Sequence, residues 1–419
     1  MPTGRCEHIT RSEGHMRKTT DCRASRAHSG RAAAVLVALA ASLTVTPPAH
    51  INLNGQQTVR IVAAESSAAG KPTEGERLFR KETFGGNGRT CETCHSRGSG
   101  TLSPADVQER LREPGDPLFL HDGLDDGVGG ISRIAEHATI RVVRPLPPNI
   151  RIAENPAATS VALFRGIPST INTPALDPAL MYDLRARTLS DQALGAIHDH
   201  AQNTIEPTEQ QLALIAEFQR TDKRFFSSDT LEDFARGGPA PVLPPGRSPS
   251  ERRGRLMFVE TPFTPGSTNG ICALCHTGPM LNQTSPFNTG APPGARIANI
   301  GVSERNLLGL PEYTFLIDNG FGNVQAVRMP DLGIPLTNPR PPGVPPPTVR
   351  HPAFFAGMFK IPSLWGVKRT APYFHDNSAK TLEELAAFYS DMFRNGTEFP
   401  VQLSAQDEAD MVAYLRLLD

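Results

Sequence analysis

Two stretches of the chain share one pattern of apolar and polar residues. The first, PTEGERLFRKETFGG, occupies residues 72–86, and the second, SPSERRGRLMFVETPF, occupies residues 248–263. We interpret the few apolar residues, which stand among charged ones, as the buried face of an amphipathic helix. We therefore predict two short helices, each followed by a glycine-containing loop. The apolar positions are Leu78, Phe79, Phe84, Leu256, Met257 and Phe258.

Residues 139–154, TIRVVRPLPPNIRIAE, follow a different pattern. Apolar and polar residues alternate on both sides of a proline-rich break. Alternation with a period of two is typical of a half-buried strand. The segment therefore predicts a small β-hairpin inserted into a helical protein.

The strongest apolar run lies near the start of the chain, at residues 32–45. It has basic residues before it and a polar, proline-containing segment after it. A run of this length is short for a membrane helix but typical of an export signal. We interpret residues 1–50 as a signal peptide, with an uncleaved anchor as the alternative. No later segment is long and apolar enough to span a membrane, so we expect a soluble, periplasmic mature protein.

Composition adds that much of the chain forms loops. The 419 residues include 39 prolines and 36 glycines, and only 38% are hydrophobic. A chain of this kind needs help to build a core, which a large bound cofactor would supply. The net charge of −1 argues against a nucleic-acid partner, because such proteins carry a basic patch or stripe. A proline-rich stretch at 236–250 predicts a linker between domains at 70–240 and 241–419.

The cysteines indicate the chemistry. Two lie upstream of the apolar run, and the other four form the stretches TCETCHSRG and ICALCHTGP. Local disulfides, zinc sites and thioredoxin-like redox pairs are alternatives for two cysteines separated by two residues. A histidine directly after the second cysteine instead favours covalent attachment of c-type haem. The predicted residues are Cys91, Cys94 and His95 for haem one, and Cys272, Cys275 and His276 for haem two.

Two further segments resemble one bacterial family. Residues 359–389, FKIPSLWGVKRTAPYFHDNSAKTLEELAAFY, and residues 164–197 resemble the dihaem cytochrome c peroxidases and their relative MauG. This resemblance implies a mainly α fold with two cytochrome-c-like haem domains and long loops. It also implies that haem one, on His95, reacts with peroxide while haem two transfers electrons.

The resemblance also implies the second axial ligand of haem two. The family places this ligand eight residues after a threonine that matches Thr381, which is the position of Tyr389. Peroxidases have methionine there and MauG has tyrosine. Met392 is the competing ligand, and a tyrosine of the helix core is the other interpretation of Tyr389.

His375 matches a family histidine that supports haem two, and a solvent-facing turn histidine is its alternative interpretation. Thr370 and Pro372 match positions whose carbonyls bind calcium between the domains. The partner asparagine is missing, because Gly166 stands in its place. Calcium is therefore a weakly supported cofactor.

Between the haems, Tyr182 stands where the family has a tryptophan, and it could relay electrons or only pack between the domains. Gln192 matches a glutamine in the pocket of haem one. A glutamate that moves protons in the family is replaced by Gln202, which cannot act as an acid or base. His198 and His200 lie nearby. His200 could move protons, ligate haem one or lie in a solvated loop.

The segment after the first motif is longer than in the peroxidases. It contains His121 and His137, which are candidates for a distal histidine of haem one. It also contains Asp122, Asp125 and Asp126, which could bind calcium, although acidic turns usually only form the turn.

Three functions remain open from the sequence. The first is a peroxidase that takes electrons from a small periplasmic cytochrome c or cupredoxin. The second is MauG-like or oxygenase-like oxidation of an organic or protein substrate by peroxide or oxygen. The third is a pure electron carrier, for which both irons would need two protein ligands. The resemblance favours an enzyme over a carrier, and we take the peroxidase-like class as the broad label, although Tyr389 and the loss of the glutamate favour the second function. Family members are often homodimers.

Overall fold

The computed structural model describes residues 73–337, 351–395 and 401–419. The predicted signal peptide lies outside the described residues. Most regular structure is helical, as predicted, and the strands form small sheets. The helices are α1 (Glu74–Lys81), α2 (Cys91–Cys94), α3 (Pro104–Arg110), α4 (Ser132–His137), α5 (Thr173–Leu176), α6 (Leu189–Ala196), α7 (Glu209–Thr221), α8 (Asp229–Ala235), α9 (Pro249–Phe258), α10 (Val302–Arg305), α11 (Leu382–Asn395) and α12 (Ala405–Leu415).

The strands pair antiparallel in three small sheets. One sheet pairs β1 with β3, a second has the order β2-β5-β6, and a third pairs β4 with β7. The strands are β1 (Ile140–Pro145), β2 (Ile150–Ile152), β3 (Ser160–Arg165), β4 (Ile297–Ala298), β5 (Tyr313–Asp318), β6 (Val324–Met329) and β7 (Phe359–Lys360).

The predicted hairpin over residues 139–154 is wrong in its pairing. Both strands exist, but β1 pairs with β3 while β2 pairs with β5. Ile150 and Ile152 join a buried cluster with Phe315 and Ile317, so their pairing follows burial rather than nearness in sequence. The prolines between β1 and β2 also lack the N–H groups that a tight hairpin ladder needs.

The two predicted helices, α1 and α9, are present and begin at capped ends. The Thr73 side chain accepts a hydrogen bond from the Glu76 amide, and Ser248 forms a capping box with Glu251. Such caps satisfy amide groups that have no partner within the helix. Of the predicted apolar residues, Leu256 is 44% exposed, whereas the other five are buried.

The same close helix crossing occurs twice in the chain. A Cβ atom on Gly75 of α1 would lie 2.4 Å from the Leu214 carbonyl oxygen of α7. A Cβ atom on Gly254 of α9 would lie 2.0 Å from the Asp410 carbonyl oxygen of α12. Each glycine precedes its two buried apolar residues by three and four positions. The helix before each cysteine motif is therefore packed against a later helix by the same device.

The described residues form one compact unit with several buried clusters. One cluster surrounds α1, α6 and α7 and includes Phe79 and Phe218. A larger cluster surrounds α9, α11 and α12 and includes Phe258 and Trp365. Each cysteine motif contacts one of these two clusters, because Cys91 packs against the first and Cys272 against the second. The predicted boundary near residue 240 stays a prediction.

Candidate haem sites

The first cysteine motif folds as a single helical turn. Cys91 and Cys94 are the ends of α2, and the His95 amide donates to the Cys91 carbonyl over 3.0 Å. Residues three apart on a helix share one face, so both thiols point the same way. The Nδ1 atom of His95 lies 2.8 Å from the Gly100 carbonyl oxygen. Nδ1–H therefore donates to that oxygen, which leaves Nε2 as the metal-binding nitrogen.

The second motif repeats this arrangement. The His276 amide donates to the Cys272 carbonyl over 2.9 Å, and its Nδ1 lies 2.7 Å from the Leu281 carbonyl oxygen. Burial lowers the pKa of His276 to about 4, so the ring is neutral at pH 7 and able to bind a metal. Both histidines thus have the tautomer that an axial haem ligand needs.

The four thiols are free and enclosed by neighbouring groups. Burial raises the pKa of Cys91 to about 12 and of Cys94 to about 11, because an enclosed thiolate is poorly solvated. The same effect raises the pKa of Cys275 to about 11. A thioether carries no charge and avoids this cost, so these donor sets fit covalently bound haem.

An open cleft lies beside the first motif, and its empty space of about 780 Å³ includes the solvent at its mouth. Several predicted site residues that are distant in sequence line it together. They are Cys94, His95, Tyr182, Gln192 and His200.

His200 reaches this cavity from an irregular helical turn. Residues Ile197–Ala201 form a π-helical turn directly after α6, and Gln202 ends it with φ of 51°. Single π-helical turns occur often at functional sites. The His200 side chain is 19% exposed, and its Nδ1 lies 2.5 Å from the Asp122 carboxylate. His200 is therefore not a solvated loop histidine.

The other candidates near His200 lie elsewhere. Gln202 is exposed and accepts a hydrogen bond from the Asn87 side chain over 3.2 Å. His198 is exposed and lies 3.0 Å from Glu206. His121 and His137 are not among the residues that line the cavity. A catalytic role for Gln202 stays a prediction that the geometry does not favour.

Tyr389, the predicted ligand of the second haem, lies beside the second motif. It is half-buried on α11, and its ring centre is 6.2 Å from that of Phe374. Burial raises the pKa of Tyr389, and negative charge on the Cys275 and Cys272 thiols would raise it further. Met392 is buried in the apolar cluster around α11. The phenol is thus close to the thiols that would attach haem two.

His375 and Tyr182 meet in a stack of rings. His375 is 4% exposed and stacks on Phe359, with ring centres 3.7 Å apart. The Tyr182 ring stands edge-on to His375, with centres 6.5 Å apart. The alternative of a solvent-facing turn for His375 is therefore wrong. Tyr182 borders the first haem cavity and also contacts a residue of the C-terminal segment that resembles the family.

Sequence reasoning missed the buried charge network beneath this stack. Arg165 is 2% exposed and binds both oxygens of Asp331, over 2.6 and 2.9 Å, and Asp183 over 2.7 Å. Asp183 also accepts a hydrogen bond from Arg185 over 2.9 Å. A lone arginine in FRGIP carries no local signal of such partners, because Asp331 is far away in sequence.

The structure shows which groups surround the two suggested calcium sites. A Cβ atom on Gly166 would lie 2.0 Å from Oδ1 of Asn377, so an amide from the C-terminal segment fills the missing asparagine's place. That Oδ1 is buried and has no hydrogen-bond partner among the described residues. In the acidic turn, Asp125 accepts hydrogen bonds from Ser132 and Arg133 at the start of α4. Calcium stays a prediction.

Two histidines have Nδ1 hydrogen-bonded to a carbonyl oxygen, which leaves Nε2 available to bind iron, and each directly follows a pair of thiols. These residues fit a chain that holds two haems. The matched curated relatives agree with this class of protein. The chain is 29% identical over 150 residues to the cytochrome-c peroxidase IdrP2 of Denitromonas iodatirespirans, covering 36% of each protein. It is 25% identical over 225 residues to the cytochrome-c peroxidase IdrP1 of Pseudomonas sp. (strain SCT), covering 49% of this chain and 48% of the relative.

The chain thus spans half or less of the length of these curated relatives. No family model matches. Among solved structures, a MauG-like protein associated with microbial copper homeostasis matches with 18% identity and a TM-score of 0.44, covering 82% of this chain and 87% of that one. The diheme peroxidase BthA from Burkholderia thailandensis matches with 16% identity and a TM-score of 0.41, covering 82% of this chain and 84% of that one.

These curated relatives confirm the resemblance to the cytochrome c peroxidases. Within the described residues, we find no helix with the length and apolar character needed to cross a membrane.

Proposed function

We propose that the protein is a periplasmic oxidoreductase with two covalent c-type haems that reduces hydrogen peroxide at haem one. The observation that carries the proposal is the cavity beside His95, where Gln192 and His200 offer polar groups to a small ligand. The haem supplies the redox chemistry when bound, and reducing one peroxide to two waters consumes two electrons and two protons.

The chain's own residues have distinct tasks in this proposal. His95 and His276, each fixed by its hydrogen bond at Nδ1, would hold the two haems through Nε2. Gln192 donates or accepts a hydrogen bond at the entering peroxide, and His200 moves a proton. Haem two would supply the redox centre that receives electrons from a small periplasmic cytochrome c or cupredoxin. Tyr182 lies on the cavity wall, where an oxidisable ring can relay them.

MauG-like oxidation of an organic or protein substrate is the second candidate function. Tyr389 favours it, because a phenolate ligand stabilises oxidised iron and disfavours an electron store of high potential. The exposed position of Gln202 favours it too, since that side chain contributes no acid or base to the cavity.

Low-temperature EPR of the oxidised protein, followed by turnover assays, tests the proposal. We expect a high-spin signal from haem one and peroxide-dependent oxidation of a reduced cytochrome or cupredoxin. Two low-spin haems without turnover would refute the enzyme and support an electron carrier. An open haem one that consumes oxygen or peroxide only with an organic or protein substrate would support the MauG-like function.

A further inference from the structure

We propose that Arg89 and Asp122 are positioning residues that hold His200 so that its Nε2 accepts the first proton from hydrogen peroxide in the cavity. This inference deepens the proposed function and rests on it. Asp122 is 4% exposed and Arg89 is 2% exposed, so both charges lie inside the protein. A buried pair of this kind is costly unless every charged atom is satisfied.

Arg89 uses its whole guanidinium to fix this arrangement. Its Nε donates to the Pro117 carbonyl over 2.8 Å, and its Nη2 donates to the Leu118 and Leu120 carbonyls over 2.8 and 2.5 Å. Its Nη1 binds the Asp122 carboxylate. With its donors used in this way, Arg89 cannot easily rotate. The Asp122 carboxylate is consequently held in one orientation.

The second oxygen of Asp122 is the partner of His200. It accepts a hydrogen bond from Nδ1 of His200 over 2.5 Å. A carboxylate accepts only, so this contact places the ring proton on Nδ1 and leaves a lone pair on Nε2. Nε2 has no hydrogen-bond partner among the described residues, and the side chain lines the cavity.

Hydrogen bonds from Asn87, two residues before Arg89, also hold the backbone at His200. Asn87 donates from its side chain to the His200 carbonyl over 3.0 Å, and its amide donates to the Ala201 carbonyl over 2.8 Å. These contacts replace part of the regular helical bonding that a π-helical turn interrupts. Residues 87–89, just before the first cysteine motif, therefore position both the backbone and the ring of His200.

The proton step balances without a further reactant. One O–H bond of the peroxide breaks, one N–H bond forms at Nε2, and no electron moves in this step. The resulting imidazolium lies against the Asp122 carboxylate, which stabilises its charge. In the later step that breaks the O–O bond, this proton passes to the departing oxygen, which leaves as water; the other oxygen becomes the second water with the two electrons of the reduced donor and two protons from solvent. This arrangement supplies the base that Gln202 cannot provide.

Cyanide binding to ferric haem one tests the inference without peroxide turnover, because hydrogen cyanide must also lose a proton as it binds. In stopped-flow measurements we expect His200→Ala to slow cyanide association by about 10²-fold or more, the scale of general-base catalysis. Asp122→Asn should give at least about a tenfold loss, and Asp122→Glu, which keeps the charge, should restore part of the rate. Asp126→Asn, in the exposed part of the same turn, is the matched control and should bind as wild type.

If Asp122→Asn fails to incorporate haem, the cyanide measurements use Asp122→Glu and His200→Gln instead. Both of these variants keep a carboxylate that can pair with Arg89. Wild-type cyanide kinetics in His200→Gln or in Asp122→Asn would overturn the inference. It would also be overturned by a low-spin haem one that becomes high-spin in His200→Ala, because Nε2 would then bind iron. If the wild type shows no peroxide turnover but the variants still slow cyanide binding, the proposed function fails while the positioning role stands.

Discussion

Replacing Asp331 with asparagine should strongly destabilise the protein, because it breaks the centre of the buried charge network. Asp331 is 2% exposed and receives two hydrogen bonds from Arg165 and one, over 2.8 Å, from the Gly333 amide. Asparagine has nearly the same shape, but it loses the negative charge and one acceptor. Among the described residues, Arg165 then keeps Asp183 as its charged partner.

The magnitude follows from this geometry. Breaking a buried ion pair by removing one partner costs about 3–5 kcal/mol, since the remaining charge is left poorly compensated. Because Asp183 still faces Arg165, we expect the lower part of this range. An exposed pair is the matched control: Glu74 and Arg77 are 53% and 44% exposed, and Glu74→Gln should change the free energy of unfolding by less than about 1 kcal/mol.

Urea unfolding of both holoproteins, followed by far-ultraviolet circular dichroism and Soret absorbance, measures this difference. A free energy of unfolding for Asp331→Asn within about 1 kcal/mol of wild type would refute the reasoning. The pH dependence gives a second check. Burial raises the pKa of Asp331, but the charge and hydrogen bonds of Arg165 lower it more, so the net shift is downward. A lowered carboxyl pKa contributes stability above about pH 4 that is lost as the pH falls further, so Asp331→Asn should flatten this acid-induced loss.

Three further predictions test other parts of the structure. Replacing Cys272 and Cys275 with alanine should reduce the haem content from two groups to one in a pyridine haemochrome assay, and an unchanged content would contradict covalent attachment there. Tyr389→Phe should raise the reduction potential of haem two in a spectroelectrochemical titration, because a phenolate favours ferric iron; an unchanged potential would exclude this ligand. Gly86→Ala should lower the free energy of unfolding by about 1–3 kcal/mol, because its Cβ would lie 2.0 Å from a carbonyl oxygen of the π-helical turn. Gly98→Ala is the control: its Cβ would meet open space, and urea unfolding should give a value within about 0.5 kcal/mol of wild type.

Local patterns predicted the features whose cause is local. The apolar residues Leu78 and Phe79, set among charged neighbours, were sufficient to predict α1. The cysteine motifs could also be predicted from local sequence, because one helical turn brings two thiols and the following histidine into a single site. The exposure of Leu256 was not predicted, since α9 is apolar on more than the face that α12 covers.

Local sequence patterns could not predict the features that depend on residues distant in the chain. The alternation in residues 139–154 identified strands but assigned the wrong partners, because β2 is paired according to the shared burial of Ile150 with Ile317. The candidate list near haem one included His200 but not the carboxylate that holds it. Asp122 looked like one of three turn aspartates, and only one of the three is buried against a histidine.

The sequence by itself determined the two haem motifs, the helices that precede them and the family resemblance, since each of these rests on residues a few positions apart. Only the tertiary structure decided which of several histidines borders the first cavity, which strands pair, and which charges Arg165 compensates. The physical reason is that hydrogen bonds and burial act between neighbours in space. A chain of this length brings together residues such as Arg89 and His200, or Arg165 and Asp331, whose separation in sequence contains no information about their contact.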